Sequence, residues 1–203
     1  MTDWKKAALK AWKFIMEDDS PLSWAINIIL AFVLIKFIVY PGLGLILGTT
    51  NPIVAVISDS MQHPGGFDAW WSSQEPIYNQ FNVTKAEFKS FSLGNGFNKG
   101  DIIFLIGSKP QDLKVGDVIV FKSLRPDPII HRIVTKWQAP EGIYFQTKGD
   151  HNFVSIQDGG LDEMRVSEKA VIGKALFRIP WLGYIKIWFV EVLNGIVTFV
   201  RGY

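Results

Sequence analysis

Two serines, Ser58 and Ser60, stand at the end of the β-branched run Val54-Ala55-Val56-Ile57. Met61 follows directly and Pro64 lies three residues further on. Such a run reads as a buried strand ending at a turn, and proline biases the preceding His63 toward extended backbone. A serine on a rigid strand end opens onto a cleft, and its hydroxyl becomes a nucleophile once a neighbouring base takes its proton. Two bases are available. His131 lies in Ile129-Ile130-His131-Arg132-Ile133-Val134, and a histidine with a reference pKa of about 6.5 is largely a competent base near neutrality. Lys148 lies in Gln146-Thr147-Lys148-Gly149-Asp150-His151-Asn152. It would need its pKa lowered by about 3 units, a burial penalty of roughly 4 kcal/mol. The histidine route costs less, and it calls for a carboxylate to fix the tautomer.

Cysteine is absent, which excludes disulfides, thiolate ligands and a thiol nucleophile. His63, His131 and His151 are too scattered for a zinc motif, so neither a metal nor a cofactor is expected. Net charge is only +2, which gives no electrostatic argument for nucleic acid as a partner. Apolar residues make up 48% of the chain, with eight Trp and fifteen Phe, a composition that suggests contact with a bilayer.

The elements that must carry these residues follow in order. Residues 1–20 form an amphipathic arm in which Lys5, Lys6, Lys10 and Lys13 are offset by Asp3, Glu17, Asp18 and Asp19. Asp19 or Ser20 before Pro21 marks a helix start. From Leu22 to Tyr40 only Lys36 is charged. Pro41-Gly42 marks a kink, and apolar character runs on to Gly48. Residues 21–47 therefore meet the roughly 20 apolar residues that a membrane span needs, with Lys36 near the far end able to snorkel. The run is longer than a signal-peptide core and no small-x-small cleavage site follows, so a retained anchor is expected. Four lysines precede it and none follows until Lys85. The positive-inside tendency then puts the N-terminus in the cytoplasm and the remainder outside, as a single-pass protein of the cell membrane.

Residues 48–180 read as a β-rich domain with an inserted cap over about 65–99. Gly65-Gly66-Phe67-Asp68-Ala69-Trp70-Trp71 looks loop-like, its tryptophans either a small core or headgroup anchors. Thr84-Lys85-Ala86-Glu87 has capping-box spacing. Strands are expected over Asp101–Gly107, Asp117–Lys122, Ile129–Trp137, Ile143–Lys148 and Ala170–Ile179, with Gly-Asp turns beside three of them. Strand alternation places His131, Ile133, Thr135 and Trp137 on one face. Short strands at regular spacing indicate a barrel or sandwich-like body. Residues 181–203 are apolar but interrupted by Lys186, Glu191 and Asn194, an interfacial helix or a second span.

Ser58-Asp59-Ser60-Met61, Gly116-Asp117-Val118-Ile119-Val120-Phe121, Ile130-His131-Arg132-Ile133-Val134 and Thr147-Lys148-Gly149-Asp150-His151-Asn152 occur in that order behind the apolar segment. This series resembles type I signal peptidases, in particular the archaeal and endoplasmic-reticulum branch. The resemblance implies a mainly β catalytic domain behind an N-terminal transmembrane helix. It implies Ser60, just before Met61, as nucleophile, and His131, before Arg132, as general base where the bacterial branch has lysine. An aspartate after the Lys-Gly-Asp box completes the site. Asp158-Gly159-Gly160-Leu161 is similar to the family's Asp-x-Gly-Leu stretch, which favours Asp158 over Asp150. Asp59 in place of Gly, two residues between Met61 and Pro64, and a long interval from Asp150 to Asp158 depart from the pattern. The Ser58 hydroxyl and Ser60 backbone N–H are two residues apart, so both can converge on an oxyanion. The expected function is a membrane-anchored serine endopeptidase that removes signal peptides from translocated preproteins after small residues. The preprotein signal peptide, the lipid bilayer and the protein translocation channel are its expected partners. The alternatives are a catalytically silent, membrane-tethered peptide-binding β-domain, or a Ser-Lys protease using Lys148.

Overall fold

The computed structural model describes residues 2–184 and Trp188, and the chain divides into two compact units at Ile46/Leu47. The apolar segment over 181–203 therefore lies largely outside the described residues.

The first unit is helical. Helix α1 spans Asp3–Glu17 and α2 spans Pro21–Leu34. The Ser20 hydroxyl caps α2 by accepting from the Ser23 N–H at 3.2 Å, with Pro21 in the first turn where its missing N–H costs nothing. The chain does not break at Pro41. Ile35–Val39 open into a π-helical turn, closed by the Tyr40 N–H donating to the Ile35 carbonyl, and α3 continues over Tyr40–Leu47. Proline lacks an N–H and its ring crowds the carbonyl four residues back. Widening the turn before Pro41 accommodates both, where the sequence pattern suggested a kink. The result is one helical stretch of 27 residues, Pro21–Leu47, long and apolar enough to cross a membrane.

The second unit is mainly β. Strands β1 (Ile53–Ala55), β2 (Ile102–Ile106), β3 (Val118–Phe121), β4 (Ile129–Ala139), β5 (Gly142–Lys148), β8 (Val166–Ser167) and β9 (Val171–Ile179) form one antiparallel sheet. Its order is β1-β2-β9-β3-β4-β5-β8, and β6 (Gln157–Asp158) and β7 (Leu161–Asp162) form a separate hairpin. The sheet is a half-barrel with β1 and β8 as its edges, in keeping with the mainly β body expected from the sequence. The uninterrupted apolar run of β3 has a direct cause. Val118 and Val120 pack with Met61, Ile103 and Leu105, while Ile119 and Phe121 pack on the other side with Ile133, Phe145 and Leu161. A strand covered on both faces cannot alternate apolar with polar.

Register places His131 opposite Ile119 and Arg132 opposite Lys148. A bulge between Ile133 and Thr135 then breaks the alternation. His131 to Val134 are all buried in succession, so the expected shared face does not extend past Ile133.

Between β1 and β2 lie α4 (Phe67–Asn79) and α5 (Lys85–Ser90). The loop-like stretch at 65–71 is in fact the start of α4, entered from Gly65 and Gly66 at positive φ. Trp70, Trp71, Gln74 and Tyr78 form its buried face. Trp70 and Trp71 pack with Tyr78, Val83, Phe88 and Val134, so they are core residues and do not reach a headgroup region. Thr84 caps α5 by accepting from the Glu87 N–H.

A buried ion pair ties β4 to the turn after β5, and the cap closes around it. Arg132 donates to Asp150 through Nε (2.9 Å) and Nη2 (2.7 Å). Its remaining N–H groups reach the carbonyls of Ser92, Leu93 and Gly116. Tyr78 and His63 hydrogen-bond the two oxygens of the same carboxylate. Removing one member leaves the other charged and unpaired in a dry interior. Arg132→Leu should therefore destabilise the fold by about 3–5 kcal/mol, measured by denaturant unfolding. Lys85→Met, which breaks the solvent-exposed pair with Asp68, should leave the unfolding midpoint in place.

Candidate active site

Ser60 follows β1 in a turn closed by the Gln62 N–H donating to the Asp59 carbonyl. The fully buried Met61 side chain anchors that turn, accepting from the Asp150 N–H at its sulfur. The His151 N–H donates to the Ser60 carbonyl at 2.8 Å. The strand end and the turn after β5 thus hold Ser60 between them, with its side chain half-buried.

His131 arrives from β4, 4% exposed. Its Nε2 lies 2.9 Å from Ser60 Oγ, and its Nδ1 lies 2.5 Å from Glu163 Oε1. Glu163 is fully buried and follows β7. Its Oε1 also accepts from the Thr147 hydroxyl, and its Oε2 accepts from the Ile156 N–H. Its own backbone is tied at both ends, Thr147 N–H to Glu163 carbonyl and Glu163 N–H to Ile156 carbonyl. Among the described residues its only ion-pair partner is His131. The row Ser60, His131, Glu163 has the connectivity of a nucleophile, a base and an acid that orients the base.

The aspartates read from the sequence stand elsewhere. Asp158 lies on the β6–β7 hairpin with its side chain 74% exposed, paired to Arg125 at 2.8 Å. Asp150 is close in sequence to the site but fully engaged by Arg132, Tyr78 and His63. Burial would raise its pKa, and Arg132 first, then His63, overcome this and hold it well below the carboxylate range. Glu163 is not among the residues that the sequence motifs single out. No local pattern marks it, because β7 is only two residues long and Glu163 lies just past its end.

Ser58 is exposed, and its hydroxyl lies 3.2 Å from Ser60 Oγ. Gly149 closes the site from below. A β-carbon there would meet the Ser60 carbonyl at 2.7 Å and His131 Nε2 at 2.9 Å, so only glycine lets the two elements approach.

Lys148 is fully buried, and no hydrogen bond joins it to Ser60. Its Nζ donates to the carbonyls of Gly149 (2.9 Å), Asp150 (3.3 Å) and Asn152 (2.7 Å) and to the Gln74 side chain (3.2 Å). It also sits 4.5 Å from the Tyr78 ring centroid. Those partners are all acceptors, so the lysine acts as a clamp on the 149–152 turn. Burial pushes its pKa down to about 8, against the pull of Asp150 and Glu163. In the unfolded chain a lysine titrates near 10.4. Between those values the unfolded state binds more protons, so this residue makes the fold gain stability as pH rises from about 8 to about 10.5. Lys148→Met should flatten that rise, seen in denaturant melts on either side of the window.

No protein-family model matches the chain. Individual relatives do. The signal peptidase complex catalytic subunit SEC11C of Homo sapiens is 29% identical over 154 residues, 73% of this chain. That alignment spans 62% of the mammalian protein's length. The signal peptidase complex catalytic subunit SEC11 of Scheffersomyces stipitis is 29% identical over 160 residues, covering 76% of this chain and 75% of the relative. The corresponding subunit of Colletotrichum graminicola is 28% identical over 173 residues, covering 81% and 82%. The likeness read from four short boxes thus extends over most of the sequence, and the chain is similar over that length to the SEC11 signal peptidase catalytic subunits.

Proposed function

We propose that the protein is a membrane-anchored serine endopeptidase that removes N-terminal signal peptides from translocated preproteins after small residues. The observation that carries this reading is the hydrogen bond of 2.9 Å between Ser60 Oγ and His131 Nε2, in a chain whose relatives are named signal peptidase catalytic subunits. The 27-residue apolar helix supports the anchor, and the lysines ahead of it support a cytoplasmic N-terminus with the β domain outside.

In this reaction Ser60 Oγ attacks the carbonyl carbon of the scissile peptide bond while His131 Nε2 takes its proton. The Ser60 backbone N–H and the Ser58 hydroxyl donate to the oxyanion; losing one such donor typically costs about 3 kcal/mol. The imidazolium then passes its proton to the departing amine nitrogen, leaving an acyl-enzyme. Water attacks this ester with His131 again as base, which frees Ser60 and the new carboxylate. Glu163 takes the positioning role that the sequence suggested for Asp158 or Asp150. Its buried carboxylate holds the proton on Nδ1 and balances the imidazolium, whereas Asp150 is already neutralised by Arg132. The substrate would lie extended beside β1, an edge of the sheet.

The test is cleavage of a preprotein by the detergent-solubilised full chain. Ser60→Ala should reduce kcat on the order of a million-fold, and His131→Ala comparably. Glu163→Gln should lower kcat by about 10⁴-fold with KM little changed, while Asp158→Asn stays near wild type. Gly149→Ala, displacing nucleophile from base, should cost about 100-fold with the fold intact. Cleavage that survives His131→Ala but not Lys148→Ala would move the base to lysine. A wild type inert on every preprotein tried would instead favour a peptide-binding module.

A further inference from the structure

Helix α1 has no role in the chemistry and a sharply divided surface. At 3.6 residues per turn, Trp4, Ala8, Ala11 and Ile15 line one side, flanked by Trp12 on one edge and by Ala7 and Phe14 on the other, with Lys5 just beyond Trp12. Lys6, Lys10, Lys13 and Glu17 line the opposite side at the same spacing. No residue of α1 is buried, and Trp4 and Trp12 are 68% and 58% exposed.

The helix is nonetheless held at one end. The Ser23 hydroxyl donates to the Phe14 carbonyl at 2.7 Å, and the Asn27 amide donates to the Ile15 carbonyl at 2.8 Å. Those carbonyls belong to the last turn of α1, where no intrahelical partner exists. Ser23 and Asn27 are polar residues in the first two turns of an apolar helix, where an unpaired polar group is costly. Each therefore satisfies the other's need, and the corner Asp18-Asp19-Ser20 is fastened on both sides. Within it the Ser20 N–H donates to Asp18 Oδ1 at 2.7 Å.

We infer that α1 lies in the headgroup layer of an acidic phospholipid surface, its Trp4–Ile15 side toward the acyl chains and its lysine row among anionic headgroups. The inference rests on the membrane-anchored reading. Two observations select the bilayer as occupant: α1 is fastened to the first turns of the apolar helix, and it carries four lysines against two carboxylates. A large apolar face, interfacial tryptophans and a lysine-rich polar face are what such helices present, and basic segments beside a span are drawn to anionic lipid.

The chain contains no cysteine, so an introduced thiol can be spin-labelled alone. The full chain is reconstituted into vesicles of phosphatidylcholine, with and without phosphatidylglycerol, carrying Ala8→Cys, Ala11→Cys, Lys6→Cys or Lys10→Cys, with Ile29→Cys on α2 as reference. Labels at 8 and 11 should collide several-fold more with oxygen than with an aqueous nickel chelate, and labels at 6 and 10 the reverse. Phosphatidylglycerol should widen that contrast, and replacing Lys6, Lys10 and Lys13 by Gln should abolish the widening. Four labels equally open to the chelate, or four shielded from both reagents as against a protein surface, would overturn the inference while Ile29 still reports lipid. An Ile29 label in water would overturn the anchor itself.

Discussion

The ion pair between Arg132 and Asp150 is the constraint on which the rest of the β unit depends. Arg132 sits on β4 beside His131, and Asp150 sits in the turn that presents its backbone to Met61 and its neighbour His151 to Ser60. Trp70 of the cap donates to the Asp150 carbonyl, and Tyr78 donates to its carboxylate. One pair of charges therefore sets the positions of base, nucleophile turn and cap together. Its electrostatic self-sufficiency matters as much as its geometry. Arg132, with help from His63, satisfies the Asp150 carboxylate within the pair itself.

Glu163 occupies the opposite situation. It is equally buried, yet its hydrogen-bond donors other than His131 are a hydroxyl and a backbone N–H. A carboxylate in that state gains most when a positive charge forms next to it, which happens at His131 once it has accepted a proton in the proposed reaction. Lys148 adds a distant positive charge but spends its donors on the turn. In the proposed mechanism the two carboxylates differ by which one already has a cation, and neither its distance along the chain nor its membership of a motif decides it.

Much of this was legible in the residues. The five longer strands β2, β3, β4, β5 and β9 match their sequence bounds to within a residue or two, because β-branched runs between Gly-Asp turns have few other options. The apolar helix and the meeting of Ser60 with His131 were legible for similar reasons. Helix α4 was not, since Gly65-Gly66 ahead of paired tryptophans resembles a loop until Gln74 and Tyr78 are seen to continue the same face. Strands β6, β7 and β8 have two residues each, too short for any period to register. The bulge after Ile133 has no local signal. Asp158 stands apart from His131 because a short motif does not specify a position in space, and the chain between Asp150 and Glu163 makes an excursion that no motif length records.

That excursion has a consequence for spacing. The base of the β6–β7 hairpin is stapled, the Glu163 N–H donating to the Ile156 carbonyl and the Thr147 N–H to the Glu163 carbonyl, while the exposed tip, with Gly159 and Gly160 at positive φ, is tied through the Leu124 N–H to the Gly160 carbonyl and through Arg125 to Asp158. Residues can be added to or lost from the tip without moving the acid, because the staples lie below it. The position of the acid is then independent of the length of the hairpin above it. Sequence distance along this stretch therefore carries little information about which carboxylate stands beside His131.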